Sequence, residues 1–226
     1  MLISLENIQK YYKVGKEEIH VLKSLNLQIK SGEFVVIMGK SGSGKTTLLN
    51  ILGFLDRFNE GRYLFDGKDV SNLNENQRSD FRNNNIGFIF QQFNLIETLN
   101  IYQNVELPLT YKSGLKKADR EAIVEDKLRA VGLLDKIKMK PLQLSGGQQQ
   151  RIAIARSLVN DPQIIFADEP TGALDSETSS DIMELLKTLN KRGKTVIMVT
   201  HDQDMIKYAS KVIRLKDGVF ISESEV

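Results

Sequence analysis

The chain has 226 residues, long enough for one large domain or two small ones, and with 41% of them hydrophobic it can bury a full core, which argues against disorder. Lysine and arginine number 31 against 29 aspartates and glutamates, and the formal charge of +2 gives no electrostatic footprint for nucleic acid or an anionic membrane. With no cysteine, disulfides, thiolate metal sites and thiol nucleophiles are excluded together.

The opening Met1-Leu2-Ile3-Ser4-Leu5-Glu6 lacks the basic and apolar regions of a signal peptide. No apolar run approaches the roughly 18 residues of a membrane span, so any membrane role is expected to need a partner. Residues 1 to 30 read as strands: Ile3, Leu5 and Ile8 come near alternation, Gly15 marks a turn, and Leu25, Leu27 and Ile29 alternate before Ser31-Gly32. Tyr11 and Tyr12 close the first strand, and because neighbouring strand residues face opposite ways, at most one of the two rings faces any one ligand.

The apolar run Phe34-Val35-Val36-Ile37-Met38 leads directly into Gly39-Lys40-Ser41-Gly42-Ser43-Gly44-Lys45-Thr46, which satisfies the phosphate-loop pattern G-x-x-x-x-G-K-[ST], and Thr47-Leu48-Leu49 opens the following helix. Glycines let such a loop curl round a phosphate chain with its N–H groups pointing at the anion. Lys45 is then placed to reach the outer phosphates and Thr46 to ligate Mg²⁺.

Further on, Tyr63-Leu64-Phe65 with Asp66-Gly67 predicts a strand and tight turn, Asn74 to Arg82 a polar helix, and Ile86 to Phe90 a buried strand ending at Gln91-Gln92. Residues 91 to 145 change character, with a helix over about 116 to 131 marked by Val124, Leu128 and Val131, and read as a helical insertion. Leu144-Ser145-Gly146-Gly147-Gln148 precedes a helical run, Gln149 to Val159. Ser145 is a natural N-cap there, and the segment is either a plainly capped helix or a second anion-seeking helix end. Ile164 to Ala167 and Thr195 to Val199 are continuous apolar runs of the kind covered on both faces, separated by a helix with Ile182, Leu185, Leu186 and Leu189 on one stripe. A final hairpin, Val212 to Leu215 and Val219 to Ile221, turns at Asp217-Gly218, and no appended domain is expected before Val226.

Asp168 and Glu169 stand at the carboxyl end of the strand that includes Ala167, where open α/β sheets place ligands. Asp168 suits a metal and Glu169 suits an attacking water; a solvated loop pair ahead of Pro170 is the alternative.

Phosphate loop, Leu144-Ser145-Gly146-Gly147-Gln148, Asp168-Glu169, Ala173-Leu174-Asp175, Thr200-His201-Asp202 and Gln91, in this order and spacing, resemble an ATP-binding cassette (ABC) ATPase over the whole chain. The resemblance implies an α/β P-loop NTPase with a mostly parallel core sheet, an N-terminal antiparallel β subdomain and an inserted α-helical subdomain. It further implies one nucleotide-binding domain over 1–226, with 1–90 and 161–226 as core and β subdomain and 91–160 as the helical subdomain that carries the signature. It implies ATP and Mg²⁺ as cofactors, and a head-to-tail homodimer in which each ATP lies between one subunit's phosphate loop and the other's signature, residues 145 to 148. Gln91 is then expected to contact Mg²⁺ and signal to a membrane subunit, Asp175 to cross the dimer interface, His201 to contact the γ-phosphate, and Tyr12, in preference to Tyr11, to stack on adenine. His20 is expected to be structural.

A narrower resemblance rests on Gln91-Gln92-Phe93-Asn94-Leu95-Ile96, Val105-Glu106-Leu107-Pro108-Leu109, Gln148-Gln149-Gln150-Arg151 and Thr171-Gly172-Ala173-Leu174-Asp175-Ser176. It points to the branch of macrolide and peptide exporters, lipoprotein-release ATPases and antimicrobial-peptide resistance transporters. Glu97 departs from that branch, where proline is common. The expectation is an ATPase subunit at the cytoplasmic face of the membrane, bound to a separate permease, with Phe93 and Leu95 as candidate anchors. A soluble cassette acting in DNA repair or translation and a catalytically silent regulatory cassette are the alternatives. The coiled-coil or zinc-bearing insertions of the first are missing, and Glu169 and His201 are both present against the second.

Overall fold

In the computed structural model, which describes residues 1 to 225, the strands in chain order are β1 (Ile3–Val14), β2 (Glu17–Ile29), β3 (Phe34–Met38), β4 (Glu60–Phe65), β5 (Lys68–Asp69), β6 (Ile86–Phe90), β7 (Ile164–Asp168), β8 (Thr195–Thr200), β9 (Lys211–Lys216) and β10 (Val219–Glu225). The α-helices are α1 (Lys45–Leu52), α2 (Glu75–Asn85), α3 (Ile101–Glu106), α4 (Lys117–Ala130), α5 (Gly146–Leu158) and α6 (Ser176–Lys191). Val226, the last residue of the expected single domain, lies outside the described residues. The chain divides into two compact units, one made of Met1–Asp80 with Lys187–Val226 and the other of Phe81–Leu186.

In the first unit, β3 pairs in parallel with both β8 and β9, and β10 returns antiparallel to β9. Every residue of β3 and β8 is buried, as their unbroken apolar runs require of strands covered on both faces. Burying each such side chain contributes about 1.5–3 kcal/mol, so this layer is a rigid base for the loop that leaves Met38. A second, antiparallel sheet has the order β2-β1-β4-β5. Its first strand runs on to Val14, two residues past the tyrosines expected to close it, because Tyr12, Lys13 and Val14 still pair with Ile19, Glu18 and Glu17. The turn at Asp66-Gly67 has both residues left-handed, as its dipeptide predicts.

In the second unit, β6 and β7 pair in parallel with Phe90 opposite Asp168, so the strands deliver Gln91 and Glu169 side by side at their carboxyl ends. Helix α4 matches the predicted span within a residue. Helix α5 starts three residues earlier than its apolar pattern suggests. The Ser145 side chain accepts from the Gln148 backbone and the Gln148 side chain accepts from the Ser145 backbone, and this reciprocal cap draws both glycines into the first turn. No helix among the described residues is long and apolar enough to cross a membrane.

Candidate functional site

The first unit carries the phosphate loop. Gly42 and Gly44 take φ of +79° and +102°, a region that side-chain-bearing residues rarely adopt. Gly39 is required for a different reason: a Cβ there would stand 2.4 Å from the Leu215 carbonyl and 2.5 Å from Ser43 Oγ. The turn between β9 and β10 braces the loop from the same side, since the Gly218 amide donates to the Ser43 carbonyl at 3.2 Å.

Lys45, at the start of α1, folds over its own loop and donates to the carbonyls of Gly39 at 2.8 Å and Lys40 at 3.1 Å. Ser43 Oγ is buried without a hydrogen-bond partner among the described residues. A buried hydroxyl beside a lysine ammonium at a helix N-terminus fits an anionic ligand of the phosphate class. Ser41 and Thr46 are exposed and Thr47 half-buried. His201, at the end of β8, shares a cleft of about 500 Å³ with Gly39 to Ser43.

Tyr12 is half-exposed on β1, with its hydroxyl donating to Asp56 at 2.5 Å. Partial burial pushes its phenol up, and the bond to Asp56 adds to that. Tyr11 is engaged elsewhere, stacked on His20 at 4.2 Å between ring centroids and bonded to Gln9. His20 thus sits in a structural stack.

In the second unit, Asp168 ends β7 and Glu169 follows it in the left-handed region, φ +44°, with its carbonyl accepting from the Gly172 amide. The Gln91 amide nitrogen lies 2.8 Å from where a Cβ on Gly172 would stand, so only glycine lets Gln91 lie across this turn. Ser145 is exposed, Gly147 is packed closely and Gly146 is in ordinary contact with its neighbours. A Cβ on Gly147 would meet the Thr178 methyl at 2.3 Å, and one on Gly146 would stand 3.4 Å from Leu174 and 3.6 Å from the Phe93 ring. Asp175 accepts from the Thr178 amide at 2.9 Å and hydroxyl at 2.7 Å; these bonds, led by the backbone one, hold its carboxyl below the ordinary value. Signature and Asp175 are therefore neighbours within one unit.

Sequence reasoning missed two residues of α5. Gln150, fully buried, donates to the Pro170 carbonyl at 2.6 Å and the Phe90 carbonyl at 3.4 Å. Arg156, whose burial lowers its pKa, donates to the carbonyls of Phe93, at 2.8 Å, and Asn94. Both carbonyls belong to left-handed residues, φ +58° and +50°. One helix thus fixes the signature at its start and, further along, the segments that follow Gln91 and Glu169. Nothing in the local sequence signals this, because the partners are backbone atoms about 20 to 60 residues away.

The ABC transporter family model matches residues 22–172. The chain belongs to the ABC transporter family. It is an ATP-binding, ATP-hydrolysing cassette of that family. It is 48% identical over 220 residues to the uncharacterized ABC transporter ATP-binding protein YvrO of Bacillus subtilis, covering 97% of this chain and 96% of that one. It is 48% identical over 225 residues to the macrolide export ATP-binding/permease protein MacB of Pasteurella multocida, covering 100% of this chain and 34% of that protein. Among solved structures, the dimeric post-hydrolysis state of the cassette MJ0796 bound to ADP and Pi superposes with a TM-score of 0.91 at 48% identity, over 99% of this chain and 98% of that one. The α/β P-loop NTPase fold of the cassette is thereby established.

Proposed function

We propose that this ABC cassette powers a separate integral membrane permease, at the cytoplasmic face of the membrane, in export or extraction of peptide, antibiotic or lipoprotein-like substrates. The observation that carries the reading is that one chain has two glycine-bearing helix N-termini, the loop of Lys45 and Ser43 and the capped end at Ser145, and we read the second as an anion-seeking end as well. A triphosphate has one tail, so two such ends per chain are best used by two chains sharing two nucleotides. The solved MJ0796 cassettes are dimers, and the kinship with MacB favours the export branch. In this reading residues 1–226 act as one nucleotide-binding domain, with 91–160 as its helical subdomain.

The roles follow residue by residue. Gly39, Ser41, Gly42, Ser43, Gly44, Lys45, Thr46 and Thr47 hold the phosphates, and Tyr12 stacks on the base. Ser145, Gly146, Gly147 and Gln148 of the second copy close the site, and Asp175 lies at the interface. Glu169 takes the proton of the attacking water, with Lys45, His201 and Gln91 around the outer phosphate. Mg²⁺, which neutralises charge building on the phosphates, would be held by Thr46, Asp168 and Gln91. No group of three or more His, Asp or Glu side chains suited to a metal occurs among the described residues, and Mg²⁺ characteristically takes few protein ligands beside phosphate oxygens.

The test uses the lack of native cysteine. Ser41→Cys and Gln143→Cys, both exposed positions, are made in separate Glu169→Gln chains, mixed, and treated with a short thiol-to-thiol linker. ATP-dependent joining of one chain of each kind is expected. Efficient internal linking of a single chain that carries both cysteines, with mixed chains unlinked in ATP, would overturn the dimer. Purification of the native complex then identifies the membrane subunit, and recovery of the cassette without one would remove the permease from the reading.

A further inference from the structure

Besides Thr47, just after the phosphate loop, the side chain of Tyr12 meets groups that lie outside that loop. Its hydroxyl donates to one oxygen of Asp56 at 2.5 Å, and the other oxygen accepts from Lys10 Nζ at 2.8 Å. The same ammonium donates to the Arg57 carbonyl at 2.5 Å and stands 4.5 Å from the centroid of the Tyr12 ring. Lys10 and Tyr12 are two residues apart on β1, so their side chains share a face of the strand. Lys10 is only 7% exposed, and a buried ammonium of this kind persists when its donors are used. Burial pushes the Asp56 carboxyl up, but Lys10, Tyr12 and the Arg57 amide together hold it below the ordinary carboxylate value, so it remains an anion and an acceptor.

We propose that Asp56 and Lys10 are positioning residues that hold the Tyr12 ring as a one-sided platform for the nucleobase, so that part of the affinity for ATP depends on a carboxylate that does not touch the nucleotide. This rests on the reading of Tyr12 as the base-stacking residue. A free tyrosine on a strand end has to lose its rotamer freedom when a base arrives, whereas this one has lost it in advance. The ammonium occupies one face of the ring and leaves the opposite face for the base. Its cation–π contact also draws electron density from the ring, which favours stacking on an electron-rich purine. Asp56 comes from a separate stretch of chain, 44 residues after Tyr12, and no local pattern links it to the Lys10–Tyr12 pair.

The test compares ATP with inorganic tripolyphosphate, which lacks a base, by calorimetric titration of the intact chain. Asp56→Asn and Tyr12→Phe should each weaken ATP roughly two- to tenfold, the equivalent of ordering one side chain on binding. The double variant should be no weaker than either single one. Tripolyphosphate should bind both variants as well as it binds the parent. The sign discriminates, because removing the Asp56 charge from the neighbourhood of a polyanion would, by electrostatics alone, tighten both ligands. Tyr12→Phe carries the test independently of charge and of any folding defect in Asp56→Asn. If both variants bind ATP like the parent while Tyr12→Ala is weakened, the stack stands and the brace falls. If Tyr12→Ala is unchanged as well, the base-stacking reading falls and takes the brace with it. If tripolyphosphate weakens in parallel with ATP, the cluster serves the phosphate loop and the proposal is overturned.

Discussion

The ammonium of Lys45 donates to the carbonyl of Gly39 at 2.8 Å, across the loop that both residues define. In this arrangement the loop's own carbonyls stand where a polyphosphate would compete for the cation. Because hydrogen bonds to a charged group contribute about 1.5–3 kcal/mol each, replacing Lys45 by alanine is expected to weaken ATP binding by about a hundredfold or more. Unchanged affinity in a calorimetric titration would take Lys45 out of the site.

Glu169→Gln should keep ATP binding and slow hydrolysis by orders of magnitude, since an amide holds a water but cannot take its proton. Glutamine is no worse suited than glutamate to the left-handed backbone at this position, so the turn to Gly172 survives. The variant should accumulate as an ATP-bound dimer on size-exclusion chromatography. Near-normal turnover would place the base elsewhere.

A pH dependence follows from Asp69, whose carboxyl is held at about 2 by Ser71 and by Arg62, the latter at 2.7 Å. The folded value lies below the unfolded one, so its contribution to stability is complete above about pH 4 and is lost as the pH falls toward 2. The carboxyl resonance in an NMR titration should move to higher pH in Arg62→Gln. An unshifted titration would show that the ion pair does not hold in solution.

The surface near Gln91 distinguishes two kinds of apolar residue. Phe93 and Leu95 are half-buried, and the Phe93 ring lies over Gly146 of the signature. Ile96 is 42% exposed and presented by a loop that Asn104 ties at Ile96, Leu99 and Asn100. Ile96→Ser is therefore expected to weaken co-purification with a membrane subunit while sparing the isolated ATPase. Phe93→Ser should damage both. Equal co-purification of Ile96→Ser and the parent would move the contact to another surface.

The sheet strands and the phosphate loop were legible because their signals are local: unbroken apolar runs for β3, β7 and β8, and glycines at positions whose backbone is left-handed or pressed against a carbonyl. The cap of α5 at Ser145 was legible and holds, while the helical span read from the apolar pattern, Gln149 to Val159, began three residues late because glycines score as helix breakers and only the reciprocal bonds of Ser145 and Gln148 draw them into the first turn. The ties made by Asp56, Lys10, Gln150 and Arg156 escaped notice for a different reason. Their partners are distant in sequence, and in the α5 pair they are main-chain carbonyls, which leave no trace in residue identity.

Helix α5 holds the Phe90, Phe93, Asn94 and Pro170 carbonyls with two side chains and begins at the signature cap. Such a helix is a stiff connecting rod, and a push on the segment after Gln91 is delivered to Ser145 without slack. In the paired assembly proposed above, that segment would serve one nucleotide and Ser145 the other. If a membrane partner leans on one cassette, as proposed, the push would then be heard at the opposite ATP, and two sites shared between the same two subunits would keep time through the rigidity of a single 13-residue helix.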